Sequence, residues 1–406
     1  MIYRAEPYTL MIFNADNGIT AAISGNELYS LKEYLKTGIQ NEFISRLINL
    51  GLISSDMSEY ETEKLLDEID RTEKVKAPLR SFAVPESIHI DITAVCPLKC
   101  TQCYKSNSQN VEMSFEKFSC LIEQAKNLGV FQIALGGGEP LVVKGLAKFV
   151  KKVTSCGMAC TITSSGYGMT VELLEQLKKS GVNHIQISLN GSTKEINSRS
   201  RDGFDEAISA LNILAESSVP FGINWVARMD NVYDFENVVA YVKSLKADNI
   251  NILRYKPSVR EDYWKNVLNK DAFNYLVTTI KKVKGIKIKI DSAFSNILCQ
   301  LYGNQVNSVN CGCGAGRRFM MIDPWGRFKP CSHMSLFSEE QDIQKYWTNS
   351  PDLENLRQGE EFIQGNCKKC SYLMACRGCR AICEQIYNDI NAGDNNCPVF
   401  IEKERI

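Results

Sequence analysis

Thr93-Ala94-Val95-Cys96-Pro97-Leu98-Lys99-Cys100-Thr101-Gln102-Cys103-Tyr104 sets three cysteines in one short loop directly after an apolar run at 86–93. Iron–sulfur cubanes ordinarily take four cysteine ligands. A compact loop of three therefore points to a distant fourth ligand or to an iron reserved for something that is not protein. Alone, the loop also fits a zinc knuckle short of one ligand.

Outward from this loop the chain repeats strand then helix. Apolar or β-branched runs at 86–93, 131–135, 159–163, 184–189, 221–227 and 250–255 alternate with helical patterns near 114–128, 144–155, 170–180, 204–217, 233–246 and 271–284. Right-handed crossovers would curl these units into an α/β fold, a partial (β/α)6 barrel of the TIM type over 86–290, with functional loops at the carboxyl ends of its strands. The polar clusters follow that rule. Cys96 comes after the first strand, Gly136-Gly137-Gly138-Glu139-Pro140 after the second, and Thr163-Ser164-Ser165-Gly166 after the third, while Ser188-Leu189-Asn190-Gly191 closes the fourth.

The flanks read differently. Residues 1–60 hold two β-like runs, Thr9–Phe13 and Ile19–Ile23, and two amphipathic helices, Gly25–Thr37 and Asn41–Leu50, which suggests a small winged-helix-like domain. Residues 61–85 are strongly charged and read as a helical linker with solvated faces. Residues 291–406 are rich in cysteine. Phe319–Ile322 and Arg327–Lys329 flank the turn sequence Asp323-Pro324-Trp325-Gly326, so a hairpin is expected between Cys313 and Cys331.

Composition narrows the function classes. Lys+Arg and Asp+Glu balance at 47 each in 406 residues, which gives no nucleic-acid footprint and no polybasic membrane arm. No apolar run approaches membrane-spanning length and Met1–Leu10 is not a secretory signal, so a cytoplasmic protein without membrane or nucleic-acid partners is expected. Among 16 cysteines, all but Cys120, Cys156, Cys160 and Cys299 fall in tight groups, a pattern of metal ligation rather than disulfides. The four others read as buried apolar residues.

The Cys96, Cys100, Cys103, Tyr104 loop followed by the Gly136–Pro140 turn resembles the radical S-adenosylmethionine (SAM) enzymes. That resemblance implies a 4Fe-4S cluster on Cys96, Cys100 and Cys103 whose open iron chelates the amino and carboxylate groups of SAM. It implies SAM contacts from the backbone of Gly136, Gly137 and Gly138, with Glu139 adding a charged one. Ser165 belongs to a third motif that reads Ser164-Ser165-Gly166 where the family usually has Thr-Asn-Gly. Ser188 would reach the ribose, Arg199 the methionine carboxylate with Arg201 as competitor, and Tyr104 the adenine.

The tail resembles the SPASM domain, which holds two auxiliary 4Fe-4S clusters and would bring the total to three. Its marks are Cys313-Gly314-Ala315-Gly316, Gly326 with Cys331, then Cys367, Cys370, Cys376, Cys379 and Cys383, and finally Cys397-Pro398. Carried over, Cys313, Cys331 and Cys379 belong to a proximal cluster, and Cys367, Cys370, Cys376 and Cys397 to a distal one. The family usually puts three residues between the third and fourth late cysteines, where this chain has two. Because Cys383 is surplus, either Cys379 or Cys383 is the cross-over ligand. Cys311 is the candidate fourth proximal ligand; without it that cluster keeps an iron for a substrate thiolate. Zinc ribbons are the alternative, and iron content separates the two, at about 12 atoms per chain for three clusters.

Enzymes with this tail mostly modify peptides, and residues 1–60 look similar to the element by which peptide maturases pair an edge strand with a leader sequence. A unit that merely packs on the barrel is the other reading. The resemblance thus implies a maturase that crosslinks a ribosomally made precursor peptide, as a sactipeptide or ranthipeptide thioether first and a carbon–carbon bond next. An external one-electron reductant of flavodoxin or ferredoxin type would serve it. Sulfatase maturation is disfavoured, since Ser332 stands where those relatives carry a basic Asp, and His333 is the remaining candidate base. A rival of another class is a binding module whose clusters are structural.

Overall fold

The computed structural model describes residues 1–105, 110–258, 261–306, 312–394 and 397. At the amino terminus β1 (Ile2–Glu6), β2 (Thr9–Asn14) and β3 (Ile19–Ser24) form an antiparallel sheet in the order β1-β2-β3. β2 reads Thr-Leu-Met-Ile-Phe-Asn without alternation because both faces are covered. Leu10 and Ile12 join Ile23, Leu31, Ile44 and Leu47 beneath the helices, while Met11 and Phe13 meet Phe131 and Ala159 of the neighbouring barrel.

The charged stretch after this unit is not a solvated linker. Ser58 and Glu61 form a reciprocal capping box that starts helix Glu59–Arg71, and its Leu65 and Ile69 enter the same small core. The expectation of a boundary at residue 60 is corrected: the unit runs through Arg71, its apolar stripe being narrow and diluted by acidic residues.

The second sheet holds β4 (Ser87–Thr93), β5 (Gln132–Gly137), β6 (Ala159–Ser164), β7 (His184–Ser188), β8 (Phe221–Ala227), β9 (Asn249–Arg254), β10 (Lys287–Ile290), β11 (Phe319–Ile322) and β12 (Phe328–Lys329). Their order is β10-β9-β8-β7-β6-β5-β4-β11-β12, and every pairing but β11 with β12 is parallel. Helices Phe115–Leu128, Leu146–Ser155, Val171–Lys179, Phe204–Ala215, Phe235–Ser244 and Lys270–Lys282 follow the strands β4 to β9. This is the expected mixed α/β barrel, with β10 added beyond it at one edge and the β11–β12 hairpin continuing it at the other.

Side chains alternate across the barrel wall with the period of two that a pleated strand imposes. Ile88, Ile90, Ile133, Leu135, Ile162, Ile185 and Ile187 face the helices. His89, Asp91, Thr161, Gln186, Asn224 and Asn249 face inward. The interior is therefore a polar lumen, whose lower end is closed by the β2–β3 turn, where Asn183 Nδ2 donates to Ala15 O at 2.8 Å.

Candidate active site

Cys96, Cys100 and Cys103 line a cavity of about 880 Å³ at the carboxyl ends of the strands, together with Gly136, Gly137, Gly138, Ser165, Ser188 and Arg201. The cysteine loop is fixed from several sides. Gly138 N donates to Thr93 O at 2.7 Å and Glu139 N to Val95 O at 2.8 Å, so the glycine turn splints the chain entering Cys96. A Cβ at Gly138 would stand 2.0 Å from Val95 O, and one at Gly137, with φ of 141°, 2.3 Å from Thr93 O. From the opposite side Lys99 N donates to Asp202 Oδ2 at 2.7 Å and Gln102 N to Ser200 O at 3.2 Å.

Two sequence candidates are engaged elsewhere. The Glu139 carboxylate is wholly buried and accepts from Leu141 N at 3.0 Å, Ser164 Oγ at 2.7 Å, Ser165 N at 2.7 Å and Ser165 Oγ. It ties the second motif to the third, and Ser165 presents to the cavity with its hydroxyl already bound. Arg199 donates to Asp230 O at 2.8 Å and pairs with Glu195 at 3.1 Å, whereas Arg201 lines the cavity.

Tyr104 lies on the wall with its ring centroid 3.9 Å from that of His333, which reaches the same space from the segment after β12. Burial pushes the Tyr104 phenol up to about 12. Burial, then Lys256, Lys105 and Lys329, hold the His333 imidazole well below its usual range, which makes it a poor proton acceptor. Sequence reasoning missed Asp91 and Lys105, which pair at 2.7 Å inside the lumen. Burial opposes the Lys105 ammonium, but Asp91 outweighs it and raises the group above its ordinary value. An inward Asp in an otherwise Ile-rich strand was the available signal.

The tail divides its thiols between two places. Cys331 and Cys379 are both pushed up by burial, to about 11 and about 12; the Cys313 thiol adds to each shift, and Lys256 opposes both. Cys367, Cys370, Cys376 and Cys397 line a second, smaller cavity. The Cys313 thiol thus acts on Cys379, while Cys383 is fully buried in helix Arg380–Tyr387, its thiol pushed up by burial and by Asp394, Cys379 and Cys367 against Arg380. Cys311 lies outside the described residues. Cys299, read from sequence as an apolar filler, also lines the second cavity. Arg254 lines both cavities and holds Asp394, which in turn accepts from Cys379 N at 2.9 Å.

No disulfide joins the described cysteines, and among the described residues no three Cys, His, Asp or Glu side chains converge as closely as the ligands of one metal ion. A cubane spreads its thiolates over four irons. The local backbone fits that demand: N–H groups two residues on bond Cys96, Cys331, Cys370 and Cys376, from Leu98, His333, Tyr372 and Gly378, donors that stabilise a ligating thiolate.

Comparison with known proteins agrees with this geometry. Residues 90–242 match the Radical SAM superfamily model. The AdoMet-dependent heme synthase of Methanosarcina barkeri is 23% identical over 73% of this chain and 91% of its own length. The PqqA peptide cyclase of Rhodopseudomonas palustris is 23% identical over 82% of this chain and 92% of its own. The crystal structure of Streptococcus suis SuiB bound to S-adenosylmethionine superposes with a TM-score of 0.74 at 17% identity, covering 98% of both chains, and SuiB bound to its precursor peptide SuiA gives 0.70. The cysteine loop and the glycine turn that braces it both lie inside the matched stretch, so residues 90–242 form a radical SAM domain and the chain is an enzyme.

Proposed function

We propose that this enzyme matures a ribosomally made peptide, starting a radical on a precursor and closing a crosslink in it, with a thioether from a peptide cysteine as first choice. The shared lumen carries the reading. The cysteine loop and glycine turn line its mouth, and Ser332 and His333, adjoining Cys331, reach it from the auxiliary hairpin. Cys96, Cys100 and Cys103 would hold a cluster able to supply the electron that cleaves SAM to methionine and a 5′-deoxyadenosyl radical, and the tail cysteines would hold an auxiliary cluster able to accept the electron released on crosslinking. The peptide loses two hydrogens, one as an atom to 5′-deoxyadenosine and one as the thiol proton.

The residues divide the work. Arg201 and Ser188 orient SAM from the strand ends, and Tyr104 covers the adenine. Asp91 and Lys105, paired at 2.7 Å, add polarity to the lumen wall and cancel each other's charge. Cys313, Cys331 and Cys379 would hold the proximal cluster with Cys311 as candidate fourth ligand; without Cys311 one iron would be left for a substrate thiolate. Cys367, Cys370, Cys376 and Cys397, which line one cavity, would hold the distal cluster.

Peptide capture falls to the amino-terminal unit. Its β1 edge is occupied, with Ala5 N donating to Glu68 Oε2 at 2.8 Å, whereas β3 has β2 as its strand neighbour and offers its other edge to an added strand. The names of the PqqA peptide cyclase and of SuiA-bound SuiB support a peptide substrate. A flavodoxin- or ferredoxin-type protein would supply electrons in the cell.

Anaerobic incubation of reconstituted protein with SAM and dithionite is expected to yield 5′-deoxyadenosine. None from protein with full iron rejects the reading. Co-expression with short peptides encoded beside it should give a product lighter by two hydrogens with one thiol unreactive to alkylation; a thiol that still reacts favours carbon–carbon coupling.

A further inference from the structure

Helix Ser295–Tyr302 joins the barrel to the tail, and positions i and i+3 on it, Asn296 and Cys299, share one face. Both are buried, at 4% and 2% exposure, and both line the cavity that holds Cys367, Cys370, Cys376 and Cys397. Asn296 Nδ2 donates to Cys397 Sγ at 3.4 Å. Cys299 and Cys376 line this cavity together. The remaining two sulfurs receive backbone donors, Cys367 from Asp394 N at 3.2 Å and Cys370 from Tyr372 N at 3.4 Å.

We infer that this helix is the outer shell of the distal cluster and raises its reduction potential, Asn296 and Cys299 acting as positioning residues that donate to two ligand sulfurs. The inference rests on the reading of Cys367, Cys370, Cys376 and Cys397 as the ligands. Four irons take four thiolates, so a fifth thiol in the cavity is not needed to complete the set. A ligating sulfur has no S–H to give, so beside it the thiol of Cys299 can only be the donor. A hydrogen bond to a ligand sulfur withdraws charge from the iron and favours the reduced, more negative state. In a buried site, screened little by water, such bonds count for more.

The test is a potentiometric titration followed by EPR in a Cys96→Ala, Cys100→Ala, Cys103→Ala background, which keeps auxiliary iron alone. Should that background not fold, the full protein serves, with the SAM-responsive signal marking the other cluster. Cys299→Ala and Asn296→Leu are each expected to move the distal couple to more negative potential, and the double variant further. Cys299→Ser, which keeps a donor, stays nearer the parent. Iron remains at about 8 atoms per chain in the background. A loss of about 4 iron atoms in Cys299→Ala would make Cys299 a ligand and overturn the inference. An unmoved potential at full iron overturns it as well, leaving the distal cluster standing. If Cys367→Ala with Cys370→Ala loses no iron, the distal cluster itself falls, and this inference with it.

Discussion

Gly138 is where one added carbon does the most harm, because the atom it would strike is the carbonyl of Val95, beside Cys96. On the three-cluster reading proposed above, Gly138→Ala is expected to lose about 4 of about 12 iron atoms per chain while the tail keeps its own, read by iron assay and EPR of anaerobically purified protein. The two arginines can be separated by calorimetry. Arg201→Ala should weaken SAM binding roughly tenfold or more, the cost of one charge-assisted hydrogen bond, while Arg199→Ala, whose partners are the exposed Glu195 and a backbone carbonyl, should stay within about threefold. At this scale the sequence spoke through spacing. The Cys96 loop and the late cysteines declare themselves because their members are neighbours in the chain. Cys299 does not, since only the packing of its helix brings it to Cys376, and Glu139 is read as a ligand contact until its carboxylate is seen bonding Ser164 and Ser165.

Among the elements, β7 carries a pH-sensitive joint at the lower end of the lumen. Asn249 Oδ1 accepts from Gln186 at 2.7 Å, which turns its amide nitrogen to His184 Nε2 at 3.0 Å, so the neutral ring accepts. Burial, with Lys289 nearby and only Asp248 opposing, lowers His184 to about 4. The folded chain then binds fewer protons than the unfolded one between about pH 4 and 6.5, so stability is present above that window and is lost as pH falls through it, by on the order of 3 kcal/mol in all. Urea unfolding of iron-free protein should show this loss, and His184→Gln should flatten it. The main barrel strands were legible because their Ile-rich outer faces alternate with inward polar residues. β1 was missed because its Arg4 and Glu6 look solvent-facing and are in fact buried against each other. β10, Lys287-Ile-Lys-Ile, is short and lies at an edge, leaving too brief an alternation to declare a strand.

For the whole molecule, that same Arg4 fastens the amino-terminal unit to the barrel. It pairs with Glu6 at 2.9 Å, donates to Pro85 O and Gly129 O at 3.2 Å each, and its guanidinium stands 4.2 Å from the Phe131 ring centre. Arg4→Ala leaves the Glu6 carboxylate buried without its counter-ion and should cost about 3–5 kcal/mol, with proteolysis then cutting near residues 72–85. Arg4→Met with Glu6→Met should recover much of the loss. The far end is joined more intimately. β11 lies beside β4 in parallel register, Ile322 opposite Ile90, so the strand that delivers Cys96 is an interior one, flanked by β5 and β11. The cysteine-rich third is therefore a wall of the catalyst, and cannot be taken away as an accessory. A chain ending at residue 290 would bare the amides and carbonyls of Ser87–Ile90 along a new border, an invitation to self-association. Such a shortened protein is expected to come out of cells as insoluble aggregate, with no smaller working enzyme inside it.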